Sequence, residues 1–162
     1  GEPRALGFEA IEISDNTVPL TDAQRRSQIR AATKAGLTVY GEVGSKETMS
    51  NPKLLIGQAR LCFDAGPALV LVEGAELVEK GKLRKKTIDL LVKSLDLSRV
   101  MIELPGPWIS DVRGCDIEDM KKALVQELGP DVNLANVSPL SIVDTEATRT
   151  GLGTAGPLKA AR

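Results

Sequence analysis

The sequence predicts an α/β protein on a parallel sheet, and more narrowly about five βα units of a (β/α)₈ TIM-type barrel within one domain, residues 1–162. Short β-branched runs alternate with amphipathic stretches of helical length, which means parallel strands joined by right-handed crossovers. The runs also recur at a nearly constant interval. Glu12, Glu42, Glu73, Glu103 and Asn133 follow one another at steps of 30, 31, 30 and 30 residues. A third observation separates the two parallel architectures. A doubly wound sheet usually carries a glycine-rich loop after its first strand. Here that loop is D-N-T-V-P, and no G-x-G-x-x-G opens a helix. A barrel instead gathers functional groups at the C-terminal ends of many strands, as this polar series does.

Each element has its own justification. Residues 1–7 read as the tail of a helix stopped at Gly7, a start that implies further chain upstream. The first strand spans Ala10–Ser14, and Thr21 or Asp22 caps a helix over Ala23–Ala35. Thr38–Val43 is the second strand, and G-S-K-E-T is its exit loop. Asn51-Pro52 opens a helix that ends at Gly66, with Pro52 where a missing N–H costs little. Ala68–Val72 is apolar on both faces, as a buried parallel strand is. A longer loop leads to a helix over 84–95 with Ile88, Leu91, Val92 and Leu95 inward. The fourth strand is Val100–Leu104, and Asp116 is placed to cap a helix over Ile117–Leu128. Val132–Val137 is the fifth strand, Leu140–Arg149 a short helix, and the end is glycine-rich.

Composition narrows the function. The chain is 42% hydrophobic and 27% charged, so it is globular, and its net charge of −1 gives no electrostatic case for nucleic acid or an anionic membrane. Aromatics at 2% argue against base-stacking surfaces. No apolar run is long enough to span a bilayer and no signal-peptide pattern is present, so a cytoplasmic protein is expected. Two cysteines, Cys62 and Cys115, make neither a disulfide framework nor a zinc site; the expectation is a core residue and a loop thiol. Histidine is absent, which removes the usual general base and the commonest transition-metal ligand. Chemistry then falls to carboxylates, amides, Lys, Arg and backbone, and a metal would be a hard one, Mg²⁺ first.

The acids at one phase of successive strands form a candidate ring of ligands, since buried carboxylates need cations or donors. Internal salt bridges to Lys46 or Arg149 are the competing reading. Lys46, in E-V-G-S-K, is either an exposed loop lysine or an ammonium for an anionic substrate. Asn133 and Asn136 are three apart, so only one faces the interior and the other ties loop backbone. T-G-L-G-T-A-G can wrap a phosphate with backbone N–H groups.

The segments E-I-S-D, E-V-G-S-K, V-E-G-A-E, I-E-L-P, G-P-D-V-N-L-A-N-V and E-A-T-R-T-G-L, in this order and over nearly the whole chain, resemble the phosphosulfolactate synthase family. The resemblance implies a (β/α)₈ barrel of which this chain matches strands four to eight. It also implies Mg²⁺-dependent addition of sulfite to phosphoenolpyruvate, giving phosphosulfolactate on a route to coenzyme M, by a cytoplasmic homo-oligomer. Carried onto this sequence, it implies Glu12, Asp15, Glu73 and Glu103 as metal-side acids and Lys46 with Glu42 as the catalytic pair. Asn133, Asn136, Arg149, Gly151 and Gly153 become the substrate contacts. The chain departs from the family pattern at Ala75, where the family has Arg, at Ala135, where it has Gly, and at Gly153 and Ala155, where it has Arg and Asp. Losing two such residues' cationic contacts weakens a site for a highly charged anion. Two alternatives therefore stand beside the family reaction: a barrel enzyme on another anionic substrate, and a non-catalytic interaction or stress-related barrel protein.

Overall fold

The structure, a computed structural model, describes residues 2–45, 50–79, 82–106 and 112–152. A short helix α1 (Glu2–Ala5) leads into β1 (Ala10–Ile13), α2 (Asp22–Lys34), β2 (Thr38–Val43), α3 (Pro52–Ala65) and β3 (Leu69–Glu73). After β3 come a 3₁₀ turn (Gly74–Leu77) and an antiparallel pair, β4 (Val78–Glu79) with β5 (Lys82–Leu83). The chain continues through α4 (Lys85–Ser94), β6 (Val100–Glu103), α5 (Gly114–Leu128), β7 (Asn133–Ala135) and α6 (Ile142–Arg149). Among the described residues, no helix is long and apolar enough to cross a membrane.

The main sheet runs β1-β2-β3-β6-β7, and every ladder in it is parallel. Spatial order thus follows chain order, with no reversal of the kind that defines a doubly wound sheet. The helices share one face. Ile29 of α2, Leu55, Ala59 and Cys62 of α3, Ile88 and Leu91 of α4, and Leu124 of α5 form one core with Val39, Val43, Val70, Val72, Val100 and Ile102. Those strand residues are of one parity, since side chains alternate across a strand. The other parity points away from the helices and carries Tyr40, Glu42, Leu71, Glu73, Met101 and Glu103. Sequential parallel strands with helices on one side form the wall of a barrel, and the five βα units are part of a TIM-type barrel.

Local chemistry places the elements. Thr21 Oγ1 accepts from Gln24 N–H at 3.3 Å and Gln24 Oε1 accepts from Thr21 N–H at 2.9 Å, a reciprocal cap that starts α2. Asn51 Oδ1 accepts from Lys53 N–H at 2.9 Å to start α3, with Pro52 in its first turn. Two expectations are corrected. The long loop after the third strand contains the 3₁₀ turn and the β4–β5 pair, too short to show as alternation in sequence. Asp116 does not cap α5 from outside; it lies in the first turn and its Oδ2 accepts from Arg113 N–H at 2.9 Å, so the helix begins earlier, at Gly114.

Candidate active site

The residues after each strand, together with the outward parity of its last positions, decide what meets at the C-terminal end of the sheet. Glu73 is level with Glu103 in the β3–β6 ladder, and Glu42 is level with Leu71, two residues below Glu73 on the same face. A glutamate is long enough to close that diagonal. Carboxylate oxygens of Glu42, Glu73 and Glu103 lie within 4.8 Å of one another. Glu42 is 3% exposed and Glu73 0%. Two amides hold the outer members. Asn16 Nδ2 donates to Glu42 Oε1 at 2.5 Å, and Asn136 Nδ2 donates to Glu103 Oε1 at 3.0 Å and to the Leu104 carbonyl at 3.1 Å. Asn136 reaches both because its backbone is left-handed, φ +59°, a conformation that asparagine adopts more readily than most residues.

The residue before Asn16 is held by a buried cation. Arg25, 2% exposed, donates from Nη1 to the Glu42 carbonyl and from Nη2 to Asp15 Oδ2 at 2.5 Å. One guanidinium therefore joins the loop after β1 to the end of β2.

Beside Asn136 a cavity of about 630 Å³ opens between Leu104, Ile117, Lys121, Val137 and Ser138. Lys121, buried in α5, is paired to Glu118 and, at 3.3 Å, to Asp144 of α6. Its charge is thus spent on tying two helices together.

The carboxylate triplet brings together Glu42, Glu73 and Glu103, three of the acids that the sequence singles out. Glu12 and Asp15 are not in it. Glu12 is exposed and level with Tyr40, while Asp15 is the counter-ion of Arg25. Asn133 sits at the opposite end of the sheet, where its Nδ2 donates to the Val100 and Ser98 carbonyls at 3.0 and 3.3 Å. Arg149 is also displaced: it closes α6, bonds the Pro130 carbonyl before β7, and pairs with Glu146 at 3.2 Å. A helix that returns from the C-terminal end of a parallel strand finishes at the N-terminal end, so Arg149 and the following Gly151 lie away from the carboxylates. Lys46, Gly153 and the rest of the glycine-rich tail lie outside the described residues. Cys62 is buried against Gly41, and burial pushes its thiol pKa up, which fits a core residue.

Asn16, Arg25 and Glu76 belong to this end of the molecule and were not legible as site residues. In sequence Asn16 lies in the D-N-T-V-P loop and Arg25 within the helix that follows it. Glu76 was visible only as the acid beside Ala75.

An oxygen-only donor set gathered around one point suits a hard divalent cation. Acids at the C-terminal ends of adjacent parallel strands, on the face the helices leave bare, define a TIM-type α/β protein with a candidate metal site at the functional end of the barrel. Comparison with known proteins supplies the family. Residues 2–154 match the (2R)-phospho-3-sulfolactate synthase (ComA) family, and the chain belongs to that family. It is 31% identical over 162 residues to a phosphosulfolactate synthase of Methanocaldococcus jannaschii, covering 93% of this chain and 60% of that one. The one from Methanothermobacter thermautotrophicus is 30% identical, covering 93% and 58%. That of Bacillus subtilis is 27% identical over 158 residues, covering 91% and 58%. The chain thus spans about 60% of the length of the curated relatives it matches.

Proposed function

We propose that the chain carries the metal-binding half of a phosphosulfolactate synthase-like lyase, which adds sulfite to phosphoenolpyruvate. The observation that carries this reading is the convergence of Glu42, Glu73 and Glu103 within 4.8 Å at the strand ends. These acids would hold Mg²⁺, which fits their oxygen donors and their partial or full burial. Bound there, Mg²⁺ supplies Lewis-acid stabilisation for negative charge that develops on the substrate's carboxylate.

The chain's own residues have the remaining tasks. Sulfite is already a nucleophile, so no activated Ser, Cys or His is required. Its sulfur forms a bond to the methylene carbon, the carbon–carbon π pair moves toward the carboxylate, and a proton delivered to the adjacent carbon completes the addition. Lys46, three residues beyond β2 in sequence, is the candidate donor of that proton. Asn16 donates to Glu42 and Asn136 donates to Glu103, so one amide N–H orients each outer carboxylate of the triplet. Such supporting hydrogen bonds typically govern 10–100-fold in metal affinity or activity.

A second reading has its own observation. Arg149 is committed to Pro130 and Glu146, and Ala75 stands where the resembled pattern has Arg. The phosphate contacts of the resembled family are therefore altered, which favours a related barrel enzyme on a different anionic substrate. One experiment serves both. Calorimetry on the full-length chain should show Mg²⁺ binding that Glu73→Gln weakens at least tenfold, and phosphoenolpyruvate with sulfite should then give product. Mg²⁺ binding without phosphoenolpyruvate binding selects the second reading; no Mg²⁺ binding sinks both.

A further inference from the structure

The cavity beside Asn136 has no task in the metal site or in sulfite addition. It lies at the C-terminal rim of the sheet, among the residues that follow β6 and β7, and its volume of about 630 Å³ is within the range of small-molecule sites. Leu104, Ile117, Val137 and Leu140 give it apolar walls. Asn136 is the wall it shares with the carboxylates: this residue lines the cavity while its Nδ2 donates to Glu103 Oε1 at 3.0 Å. Among the described residues that line it, Lys121 is the one cation. Lys121 is 0% exposed, and its ammonium is paired with Glu118, also in the lining, and with Asp144 at 3.3 Å. One positive charge there faces two negative ones, so none is left over to attract an anion. Barrels frequently hold a phosphate between the loops after their seventh and eighth strands, the place that the family resemblance gives to β6 and β7. Here that place is apolar and its lysine is already neutralised.

We propose that the cavity takes an uncharged, apolar arm of the substrate, whose anionic head meets a divalent cation at Glu42, Glu73 and Glu103. A phosphate placed among these aliphatic side chains would lose its water and meet only a neutralised ammonium, which is strongly unfavourable. An alkyl arm has no such penalty and gains with every methylene removed from water. The placement of the head rests on the second reading of the function, a related barrel enzyme on a different anionic substrate. The preference of the cavity for an uncharged arm does not rest on it.

The test uses the full-length chain and 2-oxo acids of increasing length, from pyruvate to 2-oxohexanoate, titrated by calorimetry with Mg²⁺ present. Their common head offers oxygen donors to a hard cation, and only the arm differs. Affinity should rise about threefold per added methylene. 2-Oxoglutarate, whose arm ends in a carboxylate, should bind about tenfold more weakly than 2-oxopentanoate, the uncharged acid of equal chain length. Ile117→Trp and Val137→Phe each fill the cavity from a different part of the chain, and either should level the series. A series of straight-chain alcohols without Mg²⁺, followed through the NMR shifts of the Ile117 and Val137 methyl groups, reads the cavity alone. There 1-hexanol should bind about tenfold more tightly than 1-butanol. Alcohols that leave those methyl signals unmoved overturn the proposal. So does a level acid series in an unaltered protein that binds Mg²⁺, a trend that both variants keep, or 2-oxoglutarate as tight as 2-oxopentanoate. Alcohol binding in a protein that binds no Mg²⁺ overturns the metal site, and with it the shared substrate, while the cavity's preference stands.

Discussion

At the scale of single residues, the informative case is Asp15. By sequence it ends the first strand beside Glu12 and reads as a metal-side acid. In the structure it neutralises Arg25, whose guanidinium also bonds the Glu42 carbonyl, while its neighbour Asn16 bonds the Glu42 carboxylate. Two variants separate these tasks. Asp15→Asn leaves a buried arginine without its carboxylate and should destabilise the fold by about 3 kcal/mol, the low end for breaking such a pair because Asp15 is 28% exposed. Asn16→Ala removes only the donor to Glu42 and should leave the denaturation midpoint nearly unchanged while Mg²⁺ affinity falls about tenfold. Chemical denaturation beside calorimetry distinguishes them; equal loss of Mg²⁺ binding with an intact fold in Asp15→Asn would return Asp15 to the metal. The glutamates at Glu42, Glu73 and Glu103 were legible because their spacing repeats. Glu12 shares the spacing but not the height. It is level with Tyr40, and Glu42 with Leu71, so each of these two ladders slips by two residues. Glu12 therefore lies four residues below Glu73, about 13 Å at 3.3 Å per residue. Register is set by pairing in three dimensions, and a constant interval along the chain does not encode it.

At the scale of elements, strands and helices with caps and uniform length could be read from the sequence. Thr38–Val43 matches the observed strand at both ends, and the other main-sheet strands differ from their expected ends by at most two residues. What escaped were short features with no repeat of their own, such as the Gly74–Leu77 turn that carries the buried Glu76. The start of α5 shows how one ion pair moves a boundary. Arg113 and Asp116 meet through Nε–Oδ2 and Nη2–Oδ1, each at 2.9 Å. The side-chain hydrogen bonds from Arg113 hold the Asp116 carboxyl down to about 2 from an ordinary 3.8. A carboxyl whose pKa is lower when folded binds its proton more readily when unfolded, so its stabilising effect is present above about pH 4 and is lost as pH falls toward 2. Asp116→Asn should therefore flatten the acid limb of a stability–pH curve between these values, and should do little below them. The pair is on the surface, so high salt should shrink the difference. Identical acid limbs for the two proteins at low salt would show that the cap does not form in solution.

At the scale of the whole molecule, a period of 30 residues foretold the order of the sheet, because each βα unit adds one strand beside the last. It could not foretell what flanks that sheet. Among the described residues β1 and β7 are each paired on one side only. Near β1 lie Leu6, Phe8 and Val18, at 70%, 59% and 64% exposure; near β7 lie Leu140 and Val143, at 98% and 83%. Unpaired strand edges bordered by apolar side chains are templates for association. The same chain therefore presents two unlike sticky borders, and contact between unlike borders is head-to-tail, which closes into rings or grows without limit. Expressed as these 162 residues, the protein should run above its 17.2 kDa monomer mass in light scattering, with a mean mass that rises with concentration. Leu140→Lys with Val143→Lys places charge on the β7 border, leaves the β1 border apolar, and should reduce the mass by at least half. A concentration-independent 17.2 kDa species for the unaltered chain would mean that these borders are covered within the monomer. If both proteins associate equally, the contact lies elsewhere, and the acids at the strand ends, on the helix-free face of the sheet, become the next surface to test.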